Sequence, residues 1–294
     1  GAFLYPKIKQ LGRNSTLTCC VFYVQSATTV TKQSYFITEG ISLMFKKITL
    51  TTALIASFGT AHAYQAEIGG TIAVVDPDHG DTSTGFALDG TYYFNPVQVK
   101  NNPLNEAAFL NRSSNLNGEV SYIDYDVYEV TAFNVGLEYF IPNSDFYLNG
   151  NIGQTKHEAD GVEDLDTTIY SAEVGYLPVP GLLIAAGLLG YDNDYGDDVD
   201  PTLRAKYVTQ VGAYDMNFEG GASFGDIDAY SFGADLYLDK TLSVGLGFSD
   251  TDGKDADVFT IRAKKFFTQQ VSLEGAIDFA DDGNVFGLRG AYRF

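Results

Sequence analysis

From Tyr64 to the last residue, apolar and polar side chains alternate with a period of two. In "AEIGGTIAV", Ala66, Ile68, Gly70, Ile72 and Val74 share one face, and Glu67, Gly69, Thr71 and Ala73 share the other. "FALDGTYYF" repeats the pattern, with Phe86, Leu88, Gly90, Tyr92 and Phe94 set against Ala87, Asp89, Thr91 and Tyr93. The same rhythm runs through 116–124, 127–140, 146–154, 168–177, 203–211, 214–224, 229–238, 241–249, 258–267, 271–279 and 284–294. A strand places successive side chains on opposite faces, so each of these segments is a strand with one apolar face. Segment 181–191, "GLLIAAGLLGY", is apolar on both faces and fits least well; with it the count is fourteen. No segment of helical period competes.

Such strands can build a soluble sandwich, with the apolar faces buried between two sheets. They can also build a transmembrane barrel, with the apolar faces in lipid and the polar faces around a wet interior. The connections favour the barrel because they alternate in kind. One set is tight: Pro142-Asn143-Ser144, Pro178 to Gly181, Gly212-Ala213, Asp239-Lys240 and Thr268 to Gln270. The other set is mostly longer and acidic: "DPDHGDTS", "KHEADGVEDLD", "YDNDYGDDVD", "SDTDGKDAD" and "ADDGN". Short turns at one end and long polar loops at the other mark an outer-membrane barrel.

Aromatic placement agrees. Outward-facing Tyr92, Phe94, Tyr122, Tyr139, Phe146, Tyr176, Phe267, Tyr292 and Phe294 fall near strand ends, where rings settle at the headgroup boundary. In the final strand Phe286, Leu288, Gly290, Tyr292 and Phe294 face lipid while Arg289 and Arg293 point inward. That strand closes on the first, and its terminal aromatic is the feature by which barrel-assembly machinery recognises such chains. The fold expected is therefore an all-β transmembrane antiparallel barrel of fourteen strands. Its N- and C-termini and short turns lie in the periplasm and its acidic loops outside the cell.

Ahead of the strands, "MFKKITLTTALIASFGTAHA" joins Lys46 and Lys47 to an apolar run from Ile48 to Phe58 and ends on Ala61-His62-Ala63. This is the layout of a secretory signal peptide, residues 44–63. The run is too short to span a hydrocarbon core of about 30 Å, which argues against a membrane anchor. Residues 1–43, which hold Cys19 and Cys20, read as a non-native, disordered leader upstream of the start at Met44. Removing Lys7, Lys9, Arg13, Lys32, Lys46, Lys47 and Glu39 from totals of 18 basic and 38 acidic residues leaves 12 and 37, a net charge of −25 for the barrel domain 64–294. That charge argues against nucleic acid, whose phosphates need clustered Lys and Arg. An exported chain without cysteine in its folded part has no disulfides to stabilise it.

One connection on the short-turn side departs from the rest: "NPVQVKNNPLNEAAFLNRSSN". Asn102-Pro103 starts a short helix. The helix either rests at the barrel mouth or folds inward, so that Pro103, Leu104, Glu106, Phe109 and Arg112 form a constriction segment. "PLNEAAFLNRSSN", together with the preceding "GTYYF" and the signal peptide running into "AYQ", resembles the porin family of Acinetobacter-type outer-membrane proteins, over about residues 90–115. The resemblance implies a fourteen-stranded barrel and passive uptake of small solutes, and it implies no catalytic residues.

Face assignment puts Arg204, Lys206, Arg262, Lys264, Arg289 and Arg293 inward, as pore lining. Glu67, Asp89, Glu119, Glu138, Glu173, Asp215, Glu219, Asp235, Glu274 and Asp278 also read inward. These charges either line a wet pore that filters solutes by sign or fill a closed interior with interstrand ion pairs. Enzyme chemistry has little to work with. The part after Ala63 has only His79 and His157 and no Cys, and His79 beside Asp76, Asp78 and Asp81 reads as a solvated loop. "DNDYGDDVD" and "DTDGKDAD" alternate Asp with Gly but lack EF-hand spacing and its bidentate Glu, so hydration or loose Mg²⁺ or Ca²⁺ bridging to lipopolysaccharide accounts for them. No cofactor and no dedicated metal is expected. The expected function is an outer-membrane porin passing small hydrophilic solutes, surrounded by outer-membrane lipid and lipopolysaccharide. The alternative is a structural or adhesive barrel with a blocked lumen, acting through its acidic outer loops.

Overall fold

Fourteen antiparallel strands close into one barrel in a computed structural model that describes residues 63–125, 128–159, 161, 164–225, 228–251 and 257–294. The leader 1–43 and the signal peptide as far as His62 lie outside the described residues. The strands are β1 (Ala63–Pro77), β2 (Ser83–Gln98), β3 (Asn115–Asp124), β4 (Glu129–Phe140), β5 (Phe146–Glu158), β6 (Leu165–Val179) and β7 (Leu182–Asn193). They continue as β8 (Gly196–Val211), β9 (Tyr214–Ser223), β10 (Ala229–Asp239), β11 (Leu242–Thr251), β12 (Val258–Phe266), β13 (Val271–Ala280) and β14 (Gly283–Arg293). Each pairs with its sequence neighbours, and β14 returns to β1, so no strand edge is left for lipid to strand without hydrogen bonds.

Closure uses the very end of the chain. Glu67 stands opposite Arg293, and the register runs unbroken to Pro77 opposite Gly283. Beyond β14, the Phe294 amide donates to the Ala66 carbonyl at 2.9 Å, and the Phe294 carbonyl accepts from Gln65 and Ala66.

The alternation sorts side chains as the period requires. In β14, Val285 and Arg293 are 6% and 4% exposed, while Phe286 and Leu288 are 44% and 52% exposed to what is lipid. Outward rings gather toward both ends and touch in pairs: Phe146 with Tyr176 and Tyr292 with Phe294 at the short-turn end, Tyr230 with Phe248 and Phe259 with Phe279 toward the other. These are the two girdles of a membrane barrel.

One detail differs from the sequence reading. "YDNDYGDDVD" is not a long loop: β7 and β8 pair as far as Asn193 opposite Gly196, leaving only Asp194 and Tyr195 in the turn. Asp281 and Asp282 likewise form a two-residue turn. Acidic residues therefore ride on strands that continue beyond the apolar band, and charge distinguishes the two ends better than loop length. β7 has an inner face as apolar as its outer, as its sequence reads. Leu183 and Ala185 are buried inside, and Leu183 packs with Phe140, Tyr147 and Leu177, a cluster that Phe109 of the β2–β3 connection joins. The apolar inner face of β7 is matched by a segment inside the barrel.

Candidate functional site

The β2–β3 connection turns into the barrel. Its core is a 3₁₀ turn, Leu104–Glu106, running into a single helical turn, α1 (Ala107–Leu110). Lys100 and Arg112 flank it with φ of 50° and 52°, left-handed conformations that direct the chain inward and back out. The Asn111 side chain donates to the Ala107 carbonyl at 2.6 Å and to the Gln98 carbonyl, holding the helix end against β2.

The contacts of this segment reach around much of the circumference. The Leu104 amide donates to the Lys240 carbonyl at 2.8 Å, and the Leu104 carbonyl accepts from Arg293 Nη1 at 2.8 Å. Glu106, 2% exposed, lies 3.0 Å from the Lys206 ammonium and accepts the Tyr237 hydroxyl proton at 2.5 Å. Phe109 sits under the Lys206 ammonium and against Phe140. Arg112 pairs with Asp145 at 2.9 Å and donates to the Ser144 carbonyl. Leu104 and Ala107 are buried against Tyr64, Tyr93, Val97, Val99 and Phe266, and Pro103 is buried beside them in the chain. The segment thus packs against inward-facing side chains at the short-turn end of the barrel.

Around it the wall carries ion pairs. On β14, Arg289 reaches Glu67 at 2.9 Å and Asp89 at 2.5 Å, while Arg293 binds the other oxygen of Glu67 and lies 4.5 Å from the ring centres of Tyr64 and Phe266. Gly69 makes this possible: a Cβ there would stand 2.5 Å from both Arg289 Nη2 and Asp89 Oδ1. On β8, Arg204 reaches Glu173 at 2.9 Å and Glu219 at 3.7 Å, and it donates to the Tyr147 hydroxyl, which in turn donates to Glu138 at 2.7 Å. Arg262 grips Asp235 through two nitrogens, at 2.7 and 3.0 Å, and Lys264 pairs with Glu274 at 3.1 Å.

Glu138, Asp278 and Glu119 form no close ion pair among the described residues, although Arg262 and Arg289 act on Asp278 and Glu119 through space. Glu138 accepts from Asn115 and Tyr147, Asp278 accepts from Thr260 at 2.6 Å, and Glu119 forms neither hydrogen bond nor ion pair. A cavity of about 60 Å³, with Asn149, Ser171, Glu173, Arg204, Glu219 and Ser231 in its lining, has room for a few waters beside the β8 pairs.

The six basic residues named from sequence thus sit inside the barrel, each against a carboxylate. Sequence reasoning overlooked Tyr147 and Tyr237, whose hydroxyls tie Arg204 to Glu138 and anchor Glu106. Their inward parity on β5 and β10 was the available signal. His157 stacks loosely on Tyr128, which stacks on Tyr125 at 4.6 Å in the β3–β4 connection, where burial raises both phenol pKa values. Among the described residues no group of three or more His, Cys, Asp or Glu side chains could hold a metal ion.

Residues 39–202 match the family described as "Putative general bacterial porin". The chain belongs to this porin family. A search of curated proteins gave no match. Among solved structures, the porin is similar to the Acinetobacter baumannii outer membrane protein Omp33 at 26% identity, over 80% of this chain and 100% of that one, with a TM-score of 0.64. Others matched are the KdgM porin in complex with disordered oligogalacturonate, at 10% identity over 78% of this chain and 99% of that one (TM-score 0.43), and a TodX monoaromatic hydrocarbon channel mutant, at 9% identity over 81% and 91% (TM-score 0.48). The porin is accordingly an outer-membrane channel protein with a closed fourteen-stranded barrel.

Proposed function

We propose that this porin passes small hydrophilic solutes passively, without chemistry, through a bore lined by Arg204, Lys206, Arg262, Lys264, Arg289, Arg293, Glu119, Glu138, Glu173, Glu219, Asp235 and Glu274. The segment bearing Pro103, Leu104, Glu106, Phe109 and Arg112 sets the narrowest cross-section. The observation that carries this reading is the contrast between faces. The outer face is a continuous apolar band, whereas the inner face is polar and charged, an arrangement that serves solutes and not lipid. Ion pairs lining the wall fix the guanidinium and carboxylate groups in place, so a polar solute meets oriented charges and not mobile side chains. Phe294, at the lipid-facing end of the closing strand, is the residue offered to the assembly machinery. The test is liposome swelling with graded sugars, using the chain from Tyr64 and a variant in which 101–112 is replaced by a short turn. Uptake limited to small sugars in the first, with a higher size limit in the second, supports the reading. Equal size limits contradict the constriction, and impermeable liposomes in both contradict the channel.

A further inference from the structure

Within the charged wall, commitment is uneven. Each interior basic side chain is held by a carboxylate, so the positive charge of the bore is neutralised where it stands. The negative charge is not, and Glu119 is its clearest remainder. Glu119 stands directly opposite Asp89 in the β2–β3 ladder, two inward carboxylates in register. Like charges facing each other across a ladder cost stability. Arg289 acts on Glu119 only through space, because its fork is bonded to Asp89 and Glu67. Glu119 is also partly exposed to the interior and forms no bond that would explain it as a packing residue.

The two ends of the barrel reinforce this imbalance. The end away from the termini carries Asp76, Asp192, Asp197, Asp198 and Asp250, while at the short-turn end Arg112, Lys240 and Lys265 are paired with Asp145, Asp215 and Asp239. A cation arriving from outside therefore meets a negative mouth. Next it meets a bore in which, among the described residues, each interior base is bonded to a carboxylate while Glu119 is not bonded to any base, in a cleft where low-dielectric walls focus the field.

We infer, resting on the channel reading above, that the bore is selective for small cationic solutes over anions and that Glu119 is its specificity-determining residue. Glu119 acts through the field it casts across the lumen, with Asp89 keeping that field from being cancelled, and not as an ion ligand. The experiment is the zero-current potential of the reconstituted chain from Tyr64 under a KCl gradient, at low ionic strength where charges in the bore are least screened. Wild type is expected to reverse on the cation side. E119Q should lower the K⁺/Cl⁻ permeability ratio by about two-fold or more, E119K should lower it further, and E119D should keep it near wild type. Thermal unfolding of E119Q should shift upward, because the carboxylate pair is relieved. A loss of selectivity therefore cannot be ascribed to a damaged barrel. A conducting wild type that is unselective or prefers anions, or an E119Q ratio equal to wild type, overturns the inference and leaves the channel reading intact. No conductance from wild type or from the variant lacking 101–112 overturns both.

Discussion

Glu106 and Lys206 meet at 3.0 Å inside the barrel, one on a segment that enters from the short-turn end and the other on the wall of β8. Tyr237 closes on the same carboxylate from β10, so a single side chain fastens the segment to two strands. Removing one partner of a buried pair leaves the other charged and desolvated, at a cost of about 3–5 kcal/mol. Glu106→Ala should therefore loosen the segment while leaving the barrel closed. Trypsin added from the short-turn side should cut after Arg112 faster in the variant, and bilayer conductance should rise. A tryptic pattern and conductance equal to wild type would show that Glu106 does not hold the segment.

Arg289 carries a comparable burden at the seam. It joins Glu67 of β1 and Asp89 of β2 to the closing strand. Arg289→Met should lower stability by about 3–5 kcal/mol, because two acids lose their partner in a desolvated wall. The triple variant R289M/E67Q/D89N should recover much of that loss, since neutral groups do not repel. Thermal unfolding, followed by the loss of the fast-migrating folded band on unheated gels, would rank the three proteins.

Gly181 ends the tight β6–β7 turn at φ 82°, where a Cβ would collide with the Val208 carbonyl of β8. Gly181→Val should cost several kcal/mol, more than the usual penalty for a left-handed residue, because steric contact adds to backbone strain. The same substitution at Gly212, which has a φ of 64° and open space around its Cβ position, should cost less. Equal losses at the two turns would mean that the Val208 carbonyl does not restrict position 181.

Much of this architecture was legible from alternation alone. Each strand has a wet face and an oily face, and a one-residue error in period would have inverted the burial of Val285 and Phe286. The inward basic residues followed from the same parity. What alternation could not convey was the partner of an inner face. The doubly apolar run around Leu183 records Phe109 lying inside the barrel, but apolar character does not say what covers it. Nor could a four-residue helix announce its docking site, since one turn has no periodic face, and the anchors on Lys206, Tyr237, Lys240 and Arg293 are more than ninety residues away in sequence. The Asp194-Tyr195 hairpin was misjudged for a related reason: acidic composition reads as loop even where strands β7 and β8 continue past the membrane.

Facing is the premise on which transport depends, and residues 64–294 contain no cysteine to complicate its measurement. Neighbouring positions 119 and 120 lie on opposite faces of β3, with Val120 48% exposed on the lipid side. Single-channel recording of Glu119→Cys and Val120→Cys, before and after a charged, membrane-impermeant thiol reagent, tests the matter most directly. A stepwise fall in current for the first and no response from the second is the predicted result. Modification and block at position 120, with position 119 silent, would contradict a watery bore lined by the odd-numbered side chains of β3.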